Sequence, residues 1–128
     1  MKRPLPLNVL LKIIASQLKP VLEKSDQGIY IYLDDTHMVC NKKYANLLGY
    51  KSQKEWAQGK APLSDFIEED QQTVINAYMK ATRKMSATSV HARVKNVKTN
   101  TIVNTSVIIV PLTYEVHLFT IHFFGEIT

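Results

Sequence analysis

Apolar side chains recur at Leu7, Leu11, Ile14, Leu18 and Val21, in steps of four, three, four and three. That spacing lays one stripe along a helix, close to a heptad seam. Leu10, Ile13 and Leu22 widen the stripe. Pro20 has no N–H to give, so the pattern predicts a main helix from about Asn8 to Lys19 and a short turn from Pro20 to Lys24. Two heptads are too few for a stable free coiled coil. The stripe must therefore lie on the chain's own sheet, on a second copy, or on a membrane surface.

After Ser25-Asp26-Gln27-Gly28 the period changes from helical to alternating. Gly28 to Leu33 is predicted as a strand, with Ile29, Ile31 and Leu33 on one face and Tyr30 and Tyr32 on the other. Asp34-Asp35 is a turn, and His37 to Cys40 a short second strand. Asn41 suits the N-cap of a helix through Tyr44, Leu47 and Leu48, and Gly49 sits where that helix should end. Ser52 and Glu55 have capping-box spacing, which predicts a helical turn holding Trp56. Gly59 to Pro62 is a loop and Ser64 to Ile67 a turn. Glu68 to Lys84 is a helix with Val74, Ile75, Tyr78 and Met79 inward. Its acids lie in the first turn and Arg83-Lys84 in the last, as the helix dipole favours.

The remainder is β-structure. Val90, Ala92 and Val94 alternate with His91, Arg93 and Lys95, as on an edge strand with one wet face. After a turn at Lys98-Thr99-Asn100, strands over Ile102 to Leu112 and Val116 to Glu126 are apolar on both faces. In the last strand Phe119, Ile121 and Phe123 share one side, and Leu118 and Phe124 the other. Strands apolar on both faces must be covered on both. The helices between Asn41 and Lys84 can cover one. The N-terminal helix is the remaining candidate for the other, within one chain or across a two-fold axis.

Composition narrows the picture. A chain of 128 residues makes one domain. Its net charge of +5 is spread over short groups such as Lys42-Lys43 and Arg93-Lys95-Lys98. A nucleic-acid surface would concentrate that charge, so none is expected. Lys2-Arg3 followed by apolar residues looks like an export signal, but Pro4, Pro6, Asn8 and Lys12 interrupt it. No apolar run reaches the roughly 20 residues that span a bilayer. Lys2, Arg3, Lys12 and Lys19 leave surface attachment as a minor alternative. The single Cys40 can form no intrachain disulfide, so a cytoplasmic location is expected.

The order helix–β–β–helices–β–β–β resembles that of PAS domains, and four local segments add to the likeness. Gly28-Ile29-Tyr30-Ile31-Tyr32-Leu33-Asp34-Asp35 resembles the first PAS strand and its turn. Asn41, Tyr44-Ala45 and Leu47-Leu48-Gly49-Tyr50 resemble the N-x-x-aromatic-x-x-L-x-G-Y segment. Phe66-Ile67 with Asp70 resembles the start of the long PAS helix, and Glu126-Ile127-Thr128 the ending of the last strand. The likeness covers about residues 20 to 128. It implies an α+β fold: a five-stranded antiparallel sheet with helices on one face, here preceded by an N-terminal amphipathic helix. Residues 1–24 would form that helix and 25–128 the PAS domain. It also implies a sensory or interaction module that binds a small ligand or a signalling partner, as in two-component regulators.

Residue chemistry supplies no active site. Cys40 lacks the Asn-Cys-Arg-Phe-Leu-Gln segment of light-sensing flavin relatives and is expected to be an inert core thiol. His37, His91, His117 and His122 form no metal-ligand spacing. The long helix carries no His, where haem-binding relatives place theirs; His122 on the last strand is the remaining candidate for a haem ligand. Asp34-Asp35 and Glu68-Glu69-Asp70 sit at a turn and a helix start, where acids belong without catalysis. With four glycines the chain has no phosphate loop. Tyr44, Trp56, Phe66, Tyr78 and Met79 are the expected walls of a cavity whose occupant the sequence does not identify; the same side chains could equally fill it. Leu7, Leu11, Ile14 and Leu18, with Tyr30 and Tyr32 on the outer sheet face, are the expected homodimer interface. The alternatives are a ligand-free constitutive dimerisation module and a haem- or flavin-binding sensor.

Overall fold

The computed structural model describes residues 3–127. Met1, Lys2 of the Lys2-Arg3 pair, and Thr128 of the Glu126-Ile127-Thr128 ending lie outside the described residues. The elements are α1 (Leu7–Gln17), α2 (Lys19–Lys24), β1 (Gly28–Asp34), β2 (His37–Cys40), α3 (Lys42–Leu47), α4 (Gln53–Ala57), a 3-10 turn (Pro62–Asp65), α5 (Glu68–Lys84), β3 (Thr88–Lys95), β4 (Ile102–Tyr114) and β5 (His117–Glu126). The sheet has five antiparallel strands in the order β2-β1-β5-β4-β3. The fold class and strand set are those expected.

Local chemistry explains the joints. Pro20 occupies the first turn of α2, where its missing N–H costs nothing, so 19–24 is a short helix rather than a turn. Asn41 caps α3, and its buried amide is fully used. Oδ1 accepts from Ile29 N and Tyr44 N, while Nδ2 donates to the Leu22 and Gln27 carbonyls. One side chain thus starts α3 and pins the α2–β1 connection to the β1–β2 hairpin. Ser52 caps α4. Gly49, at φ +81°, turns the chain after α3 and packs against Asn96, whose side chain holds the Lys98–Asn100 turn and donates to Leu47 O.

The sheet separates two apolar layers. The larger holds Tyr30, Tyr44, Trp56, Phe66, Val94, Val107 and Phe124 beneath α3, α4 and α5. The smaller holds Leu10, Leu11 and Ile14 of α1 against Ile29, Ile31, Phe119 and Ile121. α1 therefore closes the outer face of β1 and β5 from within the same chain.

Two expectations about that outer face need correction. Leu11 and Ile14 are buried against their own sheet, with Leu7 and Leu18 half-buried beside them, so the stripe is not free to form a two-fold seam. Leu10 is its most buried member, and Val21 points to solvent. Tyr30 and Tyr32 face inward instead of outward. Their registers, Tyr30 with Cys40 and His122, and Tyr32 with Met38 and Thr120, put both on the helix side. The reason is the partners each face offers: inward, Tyr30 packs on Tyr44, Trp56, His122 and Phe124, and Tyr32 meets Tyr78 edge-on, while Ile29 and Ile31 pack with the leucines of α1. Tyr114 of β4 packs against the α1 cluster, whereas Ile108 and Leu112 on the same strand's outer face are exposed at 42% and 37%.

The free side of edge strand β3 is partly covered. Phe66 bridges to Val94, and Ile67 N donates to Arg93 O. Asp70, in the first turn of α5, accepts from Arg93 N, Nε and Nη2. This bidentate clasp explains the spacing between Phe66-Ile67 and Asp70, and it blunts the sheet edge.

Candidate functional site

A cavity of about 250 Å³ lies between the inner sheet face, the 3-10 turn and α5. Its walls include Tyr30, Phe66, Val74, Ile75, Tyr78 and His122, with Tyr32 and Asp35 at the rim. The volume falls just below the roughly 300–1,000 Å³ of drug-sized pockets. Of the five expected wall residues, Phe66 and Tyr78 line it. Tyr44 and Trp56 are buried in the packed core beside it, and Met79 lies on the solvent side of α5.

His122 sits at the centre of the inner face. Its ring stacks on Tyr30 at 4.1 Å between centroids and lies parallel to Tyr78, within 6°, at 6.4 Å. Burial drives its pKa down to about 3, so the imidazole is neutral. Its Nδ1, and Thr120 Oγ1 two residues earlier on the same strand face, are buried without a hydrogen-bond partner among the described residues. An unsatisfied buried polar group costs about 1–3 kcal/mol. Alternation alone could have placed His122 inward beside Phe124, but not its lack of a partner.

Beside the cavity, Asp65 holds the helical layer together. Its Oδ2 accepts from Tyr44 Oη at 2.9 Å and Trp56 Nε1 at 2.8 Å. Desolvation raises its pKa to about 6, against the pull of those two donors. No local pattern points to Asp65, which sits in an ordinary turn; a buried Tyr and Trp needing acceptors was the only available signal.

The remaining suspects have structural roles. Cys40 is buried, and desolvation followed by the Asp65 charge raises its thiol to about 12, far from a reactive thiolate. Asp34 accepts from Thr36 N, Thr36 Oγ1 and His37 Nδ1 and closes the β1–β2 turn. Asp35 accepts from Tyr32 Oη at 2.6 Å. Among the described residues no group of three or more His, Cys, Asp or Glu could hold a metal ion, and no helix is long and apolar enough to cross a membrane.

Solved structures share this arrangement. A PAS domain of a protein from Colwellia psychrerythraea matches with a TM-score of 0.73 at 18% identity, over 90% of this chain and 98% of that one. A PAS domain from a two-component sensor histidine kinase matches with a TM-score of 0.68 at 12% identity, over 91% and 98%. The chain has the PAS fold. A LOV protein from Rhodobacter sphaeroides is also similar, with a TM-score of 0.70 at 10% identity over 91% of this chain and 68% of that one. No family model and no curated protein matches the sequence. Within the PAS fold, the cavity described above lies between the sheet and the helices that cover it.

Proposed function

We propose that this PAS-fold chain is a sensory signalling module that binds a small molecule in the inner cavity and works by binding rather than by catalysis. The observation that carries this reading is the cavity itself. It is walled by aromatic rings and contains a neutral imidazole with a buried nitrogen that the protein leaves unpaired. A structural neighbour named as part of a histidine kinase, and another named as a diguanylate cyclase with a PAS/PAC sensor, support a signalling role with a protein partner. The lone buried Cys40 fits a cytoplasmic setting.

The homodimer belongs to the same proposal, with its surface moved. Ile108 and Leu112 of β4 lie on the uncovered part of the outer sheet face, and a second copy is the occupant proposed for it.

An absorbance spectrum and mass spectrometry of the freshly purified protein test the ligand. A released small molecule supports the sensor. A haem or flavin spectrum would replace the proposed small ligand with a prosthetic group. A protein that carries nothing and binds none of the probes named below would be a constitutive dimerisation module instead.

A further inference from the structure

We propose that the inner cavity selects an uncharged, flat heteroaromatic molecule that hydrogen-bonds to the imidazole of His122; this rests on the ligand-binding reading of the same cavity. Shape comes first. The rings of His122 and Tyr78 both line the cavity and are parallel within 6°, so they present flat walls in one orientation. Tyr30 and Phe66 close the space with further aromatic surface. At about 250 Å³ the cavity suits one or two fused rings better than a cofactor of drug size or above.

Charge comes second. Among the described residues no Lys or Arg lines the cavity, so a carboxylate or phosphate would find no counter-charge there. Among the described wall residues the one carboxyl group is that of Asp35, exposed at the rim and already accepting from Tyr32. It repels anions at the mouth and is too peripheral to neutralise a cation beside His122. Phosphate-bearing cofactors are therefore poor matches for this chain.

Hydrogen bonding comes third. Neutral imidazole offers one donor and one acceptor. His122 Nδ1 and Thr120 Oγ1, both buried on the inner face of β5, have no protein partner among the described residues. A ring edge carrying N–H and C=O groups supplies what the imidazole lacks, whereas a hydrocarbon of the same shape leaves it unpaired.

The test uses the whole chain and four probes of similar outline: 2-quinolone, naphthalene, 2-naphthoate and N-methylquinolinium. Calorimetric titration is expected to give 2-quinolone an affinity about tenfold or more above naphthalene. The two charged probes should bind more weakly than 2-quinolone. His122→Phe should remove the preference for 2-quinolone over naphthalene. His122→Gln, which keeps a donor and an acceptor, should retain part of it. Equal binding of 2-naphthoate or N-methylquinolinium, or an unchanged preference in His122→Phe, overturns the ligand class and leaves the cavity as a binding site. Failure of all four probes to bind the folded wild-type chain overturns the binding site itself.

Discussion

The imidazole of His122 lies flat against the ring of Tyr30, with centroids 4.1 Å apart and planes inclined by 18°. The contact joins β5 to β1 across their paired residues and places a neutral, buried base in the wall of the inner cavity. It also shows which sheet face is which. Tyr30 belongs to the layer under the helices, so the outer face at this point is formed by Ile29, Ile31, Ile121 and Phe123 and meets α1.

Two buried groups of this layer titrate in the acid range and make opposite contributions to pH dependence. His122 has a folded pKa of about 3. Below its ordinary value near 6.5 the unfolded chain takes a proton that the folded chain refuses, so stability falls as pH drops toward 3, by about 1.4 kcal/mol per unit. Asp65 has a folded pKa of about 6. Between about 6 and its ordinary value near 3.8 the folded chain holds a proton that the unfolded chain lacks, so stability rises at a similar slope as pH falls. The two slopes offset one another over that window. Urea unfolding of the wild type should therefore be nearly flat between about pH 6 and 4. His122→Phe should grow more stable toward pH 4, and Asp65→Asn less stable. Parallel curves for all three proteins would contradict this.

Asn41 satisfies four backbone groups from one buried amide. Asn41→Ala leaves those groups unpaired and removes the cap of α3. The expected loss is about 3 kcal/mol or more in denaturant unfolding. Asn41→Asp keeps the acceptor side and loses both donated bonds, so it should fall between. A loss for Asn41→Ala below about 1 kcal/mol would mean the cap alone matters.

The β4–β5 hairpin turns through Glu115 and Val116, both at positive φ, +48° and +60°. Two-residue turns of this kind favour Asn-Gly, and a β-branched residue is strained there. Val116 is 94% exposed, so its side chain gains little from burial in return. Replacing Glu115-Val116 with Asn-Gly is expected to stabilise the chain by about 1–2 kcal/mol, read from the unfolding midpoint. No gain would show that the turn is relaxed as it stands.

The outer sheet face separates folding from association. Leu10→Ala removes packing between α1 and the sheet and is expected to cost about 3–5 kcal/mol of stability. Ile108→Asp changes an exposed position and should leave stability within about 0.5 kcal/mol while converting dimers to monomers in sedimentation velocity. An unchanged sedimentation profile for Ile108→Asp would remove β4 as the contact surface.

Much of this architecture was legible in the chain. Alternation in Val90–Lys95 marked an edge strand with one wet face, and Asn41, Ser52 and Pro20 marked helix ends through their own backbone chemistry. Strands apolar on both sides required two covering layers, and both are present. The direction in which β1 faces was not legible. Ile29-Tyr30-Ile31-Tyr32 is apolar on both sides, so period alone cannot choose; the choice rests on Tyr44, Trp56, Tyr78 and His122, which gather around the tyrosine rings from far along the chain. Asp65 was hidden for a related reason. Its role depends on Tyr44 and Trp56 converging from two other helices, which no local spacing records. The cavity walls were half legible, because helical periodicity named Tyr78 but could not distinguish Met79, one position further around, as facing water.

The most direct test of the account is where a bound molecule sits. Nuclear Overhauser contacts can be measured between 2-quinolone at saturation and isotope-labelled valine and isoleucine methyl groups. Contacts are expected to Val74 and Ile75, which line the inner cavity, and none to Ile31 or Ile121 beneath α1 or to Ile108 on β4. Contacts confined to Ile108, or none to Val74 and Ile75 at saturation, would contradict it.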